Sequence, residues 1–305
     1  MAGRTATRVI PQKIVETVEA WTPKEAAECL AHIESSRRKL ARGECWFGFL
    51  SYDLGLRQLP GRFKSRRAGL PLLRFHRARS VKKIRIRHPE KIMTTPPLSS
   101  CRLIRRSDDL ESYVKKIRLV QSELRKGNAY EVNLSQRWDW RFSRRPDAAA
   151  LYSAVSRAMR PRYGFFESAG DAAILGFSPE LFFSVRAGRI TAEPIKGTAP
   201  RRDARLIHSE KDRAELLMIT DLFRNDLGRI CDAGSISARG PIEMRVPYAR
   251  HLYSRVQGKL KKDSGLPEIV AALFPSGSVT GAPKLSACRI IARMEGFARE
   301  EAFGA

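Results

Sequence analysis

Apolar and polar positions change period several times along the chain, and each change marks an element. The run Cys45-Trp46-Phe47-Gly48-Phe49-Leu50-Ser51-Tyr52 is almost continuously apolar and predicts a buried strand. Tyr113, Ile117, Val120 and Leu124 recur at helical spacing. With Ser107 as N-cap and Gly127-Asn128 as terminator, they predict a helix. Tyr130, Val132 and Leu134 then alternate with Glu131, Asn133 and Ser135, the two-residue period of a strand with one polar face. Residues 181–186 and 189–195 read as two strands on either side of Ala187-Gly188, a hairpin signal. A second long helix starts after Ser209 and carries Leu216, Ile219, Leu222 and Phe223. Residues 274–284 form a glycine-containing loop that enters a helix bearing Leu285, Ile290 and Ile291. Strands dominate the middle and helices are interspersed, which makes the class α+β. A linker-like stretch at residues 94–100 divides the chain into regions 1–104 and 105–305.

Composition narrows the picture. At 305 residues and 43% hydrophobic content the chain builds a sizeable core, and global disorder is excluded. No apolar stretch is long enough to cross a bilayer, so no membrane partner is expected. The opening MAGRTATRVIPQK is basic without a following apolar run, unlike a secretory signal. Cys29, Cys45, Cys101, Cys231 and Cys288 are dispersed, with no metal-knuckle or redox spacing, and read as reduced thiols in a cytoplasm. The formal net charge of +25 raises the question of nucleic acid. Its basic residues are spread through segments such as SRRKLAR, GRFKSRRAG and SVKKIRIRH. They form no single tail and are not interleaved with stacking aromatics, so they read as a solvated surface and nucleic acid is not an expected partner.

Candidate chemistry gathers at three places. Glu180 lies just before one strand of the hairpin and Lys196 just after the other, so folding brings an acid and an amine close together. A three-residue loop would make them direct partners. A two-residue loop, which the apolar pattern fits slightly better, would put them on neighbouring rungs facing opposite sides. The plain alternative is a cross-strand ion pair; a nucleophilic role for Lys196 requires its amine to be neutral part of the time. Asp212 and Glu215 lie three apart on one helix face and can offer oxygen ligands to Mg²⁺. Asp212 also completes a capping-box spacing with Ser209. Thr280-Gly281-Ala282-Pro283 sits where a helix starts and suits an anion, a carboxylate as readily as a phosphate. The glycine spacing before Lys284 is not that of a Walker loop. His251 alone reads as a hydrogen-bonded structural histidine.

Taken in order, the segments YEVNLSQR (130–137), SPELF (178–182), PIKGT (194–198), SEKDRAE (209–215), DLFRNDLGR (221–229) and GSVTGAPK (277–284) resemble the chorismate-utilising family. That family includes anthranilate, aminodeoxychorismate, isochorismate and salicylate synthases. WFGFLSYDLG (46–55) resembles the usual end of its N-terminal domain. The resemblance implies an anthranilate synthase component I-like fold of packed antiparallel sheets flanked by helices, with 1–104 a shortened N-terminal region and 105–305 the chorismate-binding domain. Lys196 within PIKGT points to the aminodeoxychorismate synthase branch, since anthranilate synthases and the hydroxylating members usually have alanine there.

The resemblance further implies Mg²⁺ held by Glu215 and Asp212, Glu180 as general acid at the C4 hydroxyl of chorismate, and Lys196 adding to C2. Thr280, Gly281 and Ala282 would hold carboxylate oxygens, with Gly197, Thr198 and Lys284 also on the substrate side and His251 near the ring. Ammonia would come from a glutamine amidotransferase subunit. The sequence departs from the family at Glu131, where aminating subunits commonly have glutamine, and at Ser276, where glycine is usual. In the family, a motif like residues 299–305 is followed by further strands and helices that carry a substrate arginine and more metal-binding glutamates, so the C-terminal part of the fold is expected to be missing. Two other readings stand beside this one: another chorismate-utilising activity such as anthranilate synthesis, and an inactive or nucleic-acid-binding descendant of the fold.

Overall fold

The computed structural model describes residues 6–60, 63, 69–86 and 101–305. It begins with β1 (Ala6–Ala20), α1 (Pro23–Arg37), β2 (Cys45–Leu50), α2 (Tyr52–Gln58) and β3 (Leu73–Ile86). The strands form an antiparallel sheet in the order β1-β3-β2. Helix α1 starts at a reciprocal capping box between Thr22 and Glu25. The apolar run at 45–52 is strand only as far as Leu50, because the Ser51 hydroxyl caps α2. The predicted divide at 94–100 lies outside the described residues.

Next come β4 (Cys101–Arg106), α3 (Leu110–Arg125), β5 (Glu131–Val132), β6 (Trp138–Phe142), α4 (Ala148–Met159), β7 (Tyr163–Ala169) and β8 (Ala172–Ser178). β4 pairs with β6 and β7 with β8, both antiparallel. The helix expected from the 113–124 stripe is α3, but its N-cap is Asp109, whose carboxylate accepts from the Ser112 N–H at 2.8 Å. Ser107 instead accepts from the Arg137 N–H at 3.1 Å, tying the helix entry to β6. Arg74 and His76 of β3 reach the buried Glu167 of β7 at 3.5 and 3.3 Å. That contact fixes the N-terminal sheet onto the rest.

The remaining elements are β9 (Leu181–Arg186), β10 (Arg189–Glu193), β11 (Ile195–Pro200), α5 (Glu210–Gly228), β12 (Ser237–Arg245), β13 (Ala249–Lys259), α6 (Leu266–Leu273), α7 (Gly277–Thr280), β14 (Gly281–Ala282) and α8 (Lys284–Met294). The long β13 is the spine: β12 pairs along one side, and β10 and β11 follow one another along the other. The hairpin β9-β10 turns through Ala187 and Gly188, with φ of 48° and 72°, so it is the two-residue turn with both residues left-handed. The strand expected over 189–195 breaks at Pro194, and β11 continues against β13 alone. Helix α5 lies across this sheet, packing Ile219, Phe223 and Leu227 on Ile190, Ala192 and Val256. A second core joins Leu30, Leu54 and Leu73 of the N-terminal part to Val270 and Phe274.

Arg299 is only 3% exposed. It donates to Glu295, Val279 O and Asn133 O, and lies between the rings of Tyr52 and Phe303. Among the described residues no helix is long and apolar enough to cross a membrane.

Candidate active site

Lys196 is the second residue of β11, just past the Pro194 break and opposite Leu252 of β13. It is 9% exposed, so its ammonium must find partners inside the protein. They come from β5 and the residue just after it: Lys196 Nζ contacts the Glu131 carboxylate and donates to Asn133 Oδ1 at 3.1 Å. The Asn133 amide in turn donates to Glu131 Oε1 at 3.3 Å and to Ser278 O at 3.1 Å. The alternating pattern at 130–135 put Glu131 and Asn133 on one polar face, but it did not reveal that this face meets Lys196.

What holds β5 in place is the chain entering α8. Val132 pairs with Gly281 and Glu131 with Ala282. Gly281 has φ of 140°, and a Cβ there would lie 2.1 Å from the Glu131 carbonyl oxygen. Only glycine permits that approach.

Glu180, immediately before β9, is bonded to α7: the Ser278 hydroxyl donates to its Oε1 at 2.5 Å. The Ser278 hydroxyl also shares a hydrogen bond with the Ser276 hydroxyl at 2.9 Å. Burial pushes the Glu180 carboxyl up from 4.5 to about 7, against the opposing pull of Ser278, the Lys196 charge and the Ile195 N–H. Glu180 and Lys196 are therefore neighbours that feel one another, yet each is bonded to a third residue rather than to the other. A β-bulge between Thr191 and Glu193 shifts the hairpin register by one residue before the strands part.

Behind Lys196, Gly197 has φ of 81°, and a Cβ on it would sit 2.9 Å from Asp212 Cβ. This close contact seats the first turn of α5 on the back of β11. Ser209 caps that turn by accepting from the Asp212 N–H at 3.3 Å. Asp212 and Glu215 are half-buried, and Glu215 has Lys211 at 3.7 Å. Their hard oxygens, one turn apart, suit Mg²⁺ in donor chemistry. Among the described residues, no group of three or more His, Cys, Asp or Glu is gathered for a metal. The pair could thus supply two of the oxygens about such an ion.

His251 of β13 is buried and shares a hydrogen bond through Nδ1 with the Thr198 hydroxyl, 3.0 Å across the β11-β13 pair. Its Nε2 is buried and has no hydrogen-bond partner among the described residues, and burial lowers its pKa, which favours the neutral ring. The Thr280 hydroxyl donates to Ser276 O at 2.8 Å, and Ala282 O accepts from the Tyr130 N–H at 2.7 Å. Lys284 does not join the group at all. Its ammonium donates to Asp226 Oδ2 at 2.6 Å, Leu273 O at 3.0 Å and Ala272 O at 3.4 Å, which satisfies all three of its donors.

The structure thus brings together a buried amine and a carboxyl raised to about 7, with Asp212 of α5 close against the adjacent Gly197. Such an arrangement can attack an electrophilic carbon and protonate a leaving oxygen.

The model of a family described as chorismate binding enzyme matches residues 3–304. Aminodeoxychorismate synthase component 1 of Klebsiella aerogenes is 39% identical over 195 residues, covering 61% of this chain and 43% of that protein. Anthranilate synthase component 1 of Methanothermobacter thermautotrophicus is 34% identical over 203 residues, covering 63% and 43%. The chain thus spans less than half the length of the curated relatives it matches. Among solved structures, anthranilate synthase component I from Streptococcus pneumoniae superposes with a TM-score of 0.81 at 22% identity, over 98% of this chain and 79% of that one. The fold is therefore anthranilate synthase component I-like.

Proposed function

The chain belongs to the chorismate binding enzyme family, and from that premise we propose that it acts in the amination of chorismate to 4-amino-4-deoxychorismate. One observation carries the choice of reaction: a lysine, Lys196, stands at the centre of the site beside Glu180. A buried primary amine next to a carboxylic acid that is partly protonated at neutral pH provides a nucleophile and a proton donor in one site. The relatives named aminodeoxychorismate synthase component 1 support the same branch.

In this reading Lys196 Nζ forms a bond to C2 of the ring, the ring double bond shifts, and the C4–O bond breaks. Glu180 gives its proton to the departing oxygen, which leaves as water. Ammonia then forms a bond at C4 and the shift reverses, releasing Lys196. Asp212 and Glu215 would hold Mg²⁺, which supplies positive charge for the ring carboxylate. Gly197 keeps α5 close enough for them to do so, and Thr198 orients His251 through Nδ1 beside the ring. Thr280, Gly281 and Ala282 position β5, and with it Glu131 and Asn133, against Lys196. The component 1 designation of the relatives supports a second subunit, a glutamine amidotransferase, as the source of ammonia.

Intact-mass spectrometry tests the step assigned to Lys196. With chorismate and Mg²⁺ but no ammonia, the chain is expected to gain the mass of chorismate less water, mapped to the Lys196 peptide and absent from Lys196→Ala. Bound chorismate with no adduct would sink the nucleophilic role and favour the other family reaction suggested by the anthranilate synthase relatives.

A further inference from the structure

Ser276 stands at the N-cap of α7, where a serine hydroxyl ordinarily accepts a hydrogen bond from a helix N–H. Its side chain makes no such bond. The hydroxyl is buried and turns instead toward Ser278, 2.9 Å away, in a line of three side chains that ends on Glu180. Hydroxyl chemistry fixes the direction of this line when Glu180 is ionised. A serine hydroxyl has one proton to donate, and Ser278 donates its own to Glu180 Oε1. The proton between the two serines therefore comes from Ser276, and the Ser278 oxygen accepts it.

The backbone beneath the two serines is held on several sides. The Thr280 hydroxyl and the Val279 N–H donate to Ser276 O at 2.8 and 3.3 Å. Arg299 donates to Val279 O at 2.7 Å. A Cβ on Gly277 would lie 2.4 Å from Leu222 Cδ2, so the turn is pressed against α5. With the backbone fixed, the aim of the Ser278 hydroxyl depends on its own rotation and on what donates to its oxygen.

From this geometry we propose that Ser276 is a positioning residue for the Glu180 carboxyl and acts on it through Ser278. By donating to the Ser278 oxygen, Ser276 polarises the Ser278 O–H and holds it in the orientation that reaches Glu180. Glycine at 276 could not make this donation. The use of the two-hydroxyl line in catalysis rests on the reading of Glu180 as the acid that protonates the departing oxygen; the hydrogen bonds themselves need no substrate. The charge that acts on Glu180 is that of Lys196 on β11, which in turn meets Glu131 of β5, and every variant used in the test keeps both.

The test is the carbon-13 resonance of the Glu180 carboxyl carbon, in protein labelled at glutamate Cδ and without chorismate. At about pH 8.5 a carboxyl raised to about 7 is ionised, so its partners can only donate to it. The signal is identified by its loss in Glu180→Gln. Ser278→Ala is expected to displace it, and Ser276→Ala to displace it the same way by at least about a tenth as much, the scale on which one hydrogen bond strengthens the next. Ser276→Gly, which deletes the same hydroxyl, should match Ser276→Ala. In Ser278→Ala protein, adding Ser276→Ala should change nothing further, because the line is already cut. The other glutamate resonances are expected to stay in place, which reports an intact fold. No displacement in either Ser276 variant, or one that persists in full when Ser278 is already alanine, would leave Ser276 filling space only and overturn the proposal. Because no chorismate is used, that outcome leaves the amination reading standing, and failure of amination leaves this result standing.

Discussion

Replacing Glu180 by glutamine isolates the free energy stored in one carboxyl. Burial raises that carboxyl from 4.5 to about 7 in the folded protein. A raised carboxyl pKa means the folded state holds the proton more tightly than the unfolded chain does. Its contribution to stability is fully present below about pH 4.5 and is lost as pH rises through about 7. The interval of about 2.5 pH units, at about 1.4 kcal/mol each, amounts to roughly 3 kcal/mol. Glutamine has nearly the same shape and does not titrate. The stability difference between Glu180→Gln and wild type, from urea unfolding at a series of pH values, is therefore expected to move by roughly 3 kcal/mol in favour of the variant between about pH 4.5 and pH 8. Glu301, also raised to about 7 by burial, is present in both proteins and cancels. Ser278→Ala removes a hydrogen bond that favours the ionised form, so it should move the midpoint above that of wild type. Parallel stability curves for wild type and Glu180→Gln, within about 0.5 kcal/mol over the whole range, would show that Glu180 is not held protonated and would remove the basis for its role as acid.

Gly197→Ala should cost about 1–3 kcal/mol in urea unfolding, because the residue has positive φ and its Cβ meets Asp212 at 2.9 Å. Arg299→Met should cost about 3–5 kcal/mol by the same assay, since it strands the buried Glu295 carboxylate that now takes two hydrogen bonds from Arg299. Glu215→Gln leaves the fold unchanged, as a half-buried helix-face residue, but is expected to raise the Mg²⁺ concentration needed for half-maximal chorismate binding, measured by calorimetry; an unchanged requirement would remove Glu215 from the metal.

Periodicity made the helices and the hairpin legible, because a stripe such as Tyr113, Ile117, Val120 and Leu124 records one buried face whatever it packs against. Caps were less so. Ser107, Asp108 and Asp109 can each accept a helix N–H, but the Arg137 N–H engages the first and an ion pair with Lys116 of the helix itself engages the second, which leaves Asp109. Lys196 and Lys284 look alike along the chain, each beside a glycine- or proline-containing turn. Only the fold separates them, by giving one a carboxylate and an amide and the other a carboxylate and two carbonyls. The Glu131–Lys196 contact spans 65 positions. No local pattern encodes it; it depends on β5 docking against the glycine at 281. Conversely, the bonds that occupy the Thr280 hydroxyl and the Ala282 carbonyl follow from the short α7 turn and the β5-β14 pair, neither of which has a period long enough to be read.

The central claim, that Lys196 directs this site to aminate chorismate, is tested most directly by incubating the purified chain with chorismate, Mg²⁺ and ammonium, with Lys196→Ala alongside, and identifying products by mass spectrometry. The account predicts 4-amino-4-deoxychorismate from the chain and none from the variant. Anthranilate as product, turnover that survives Lys196→Ala, or no turnover by folded protein would contradict it.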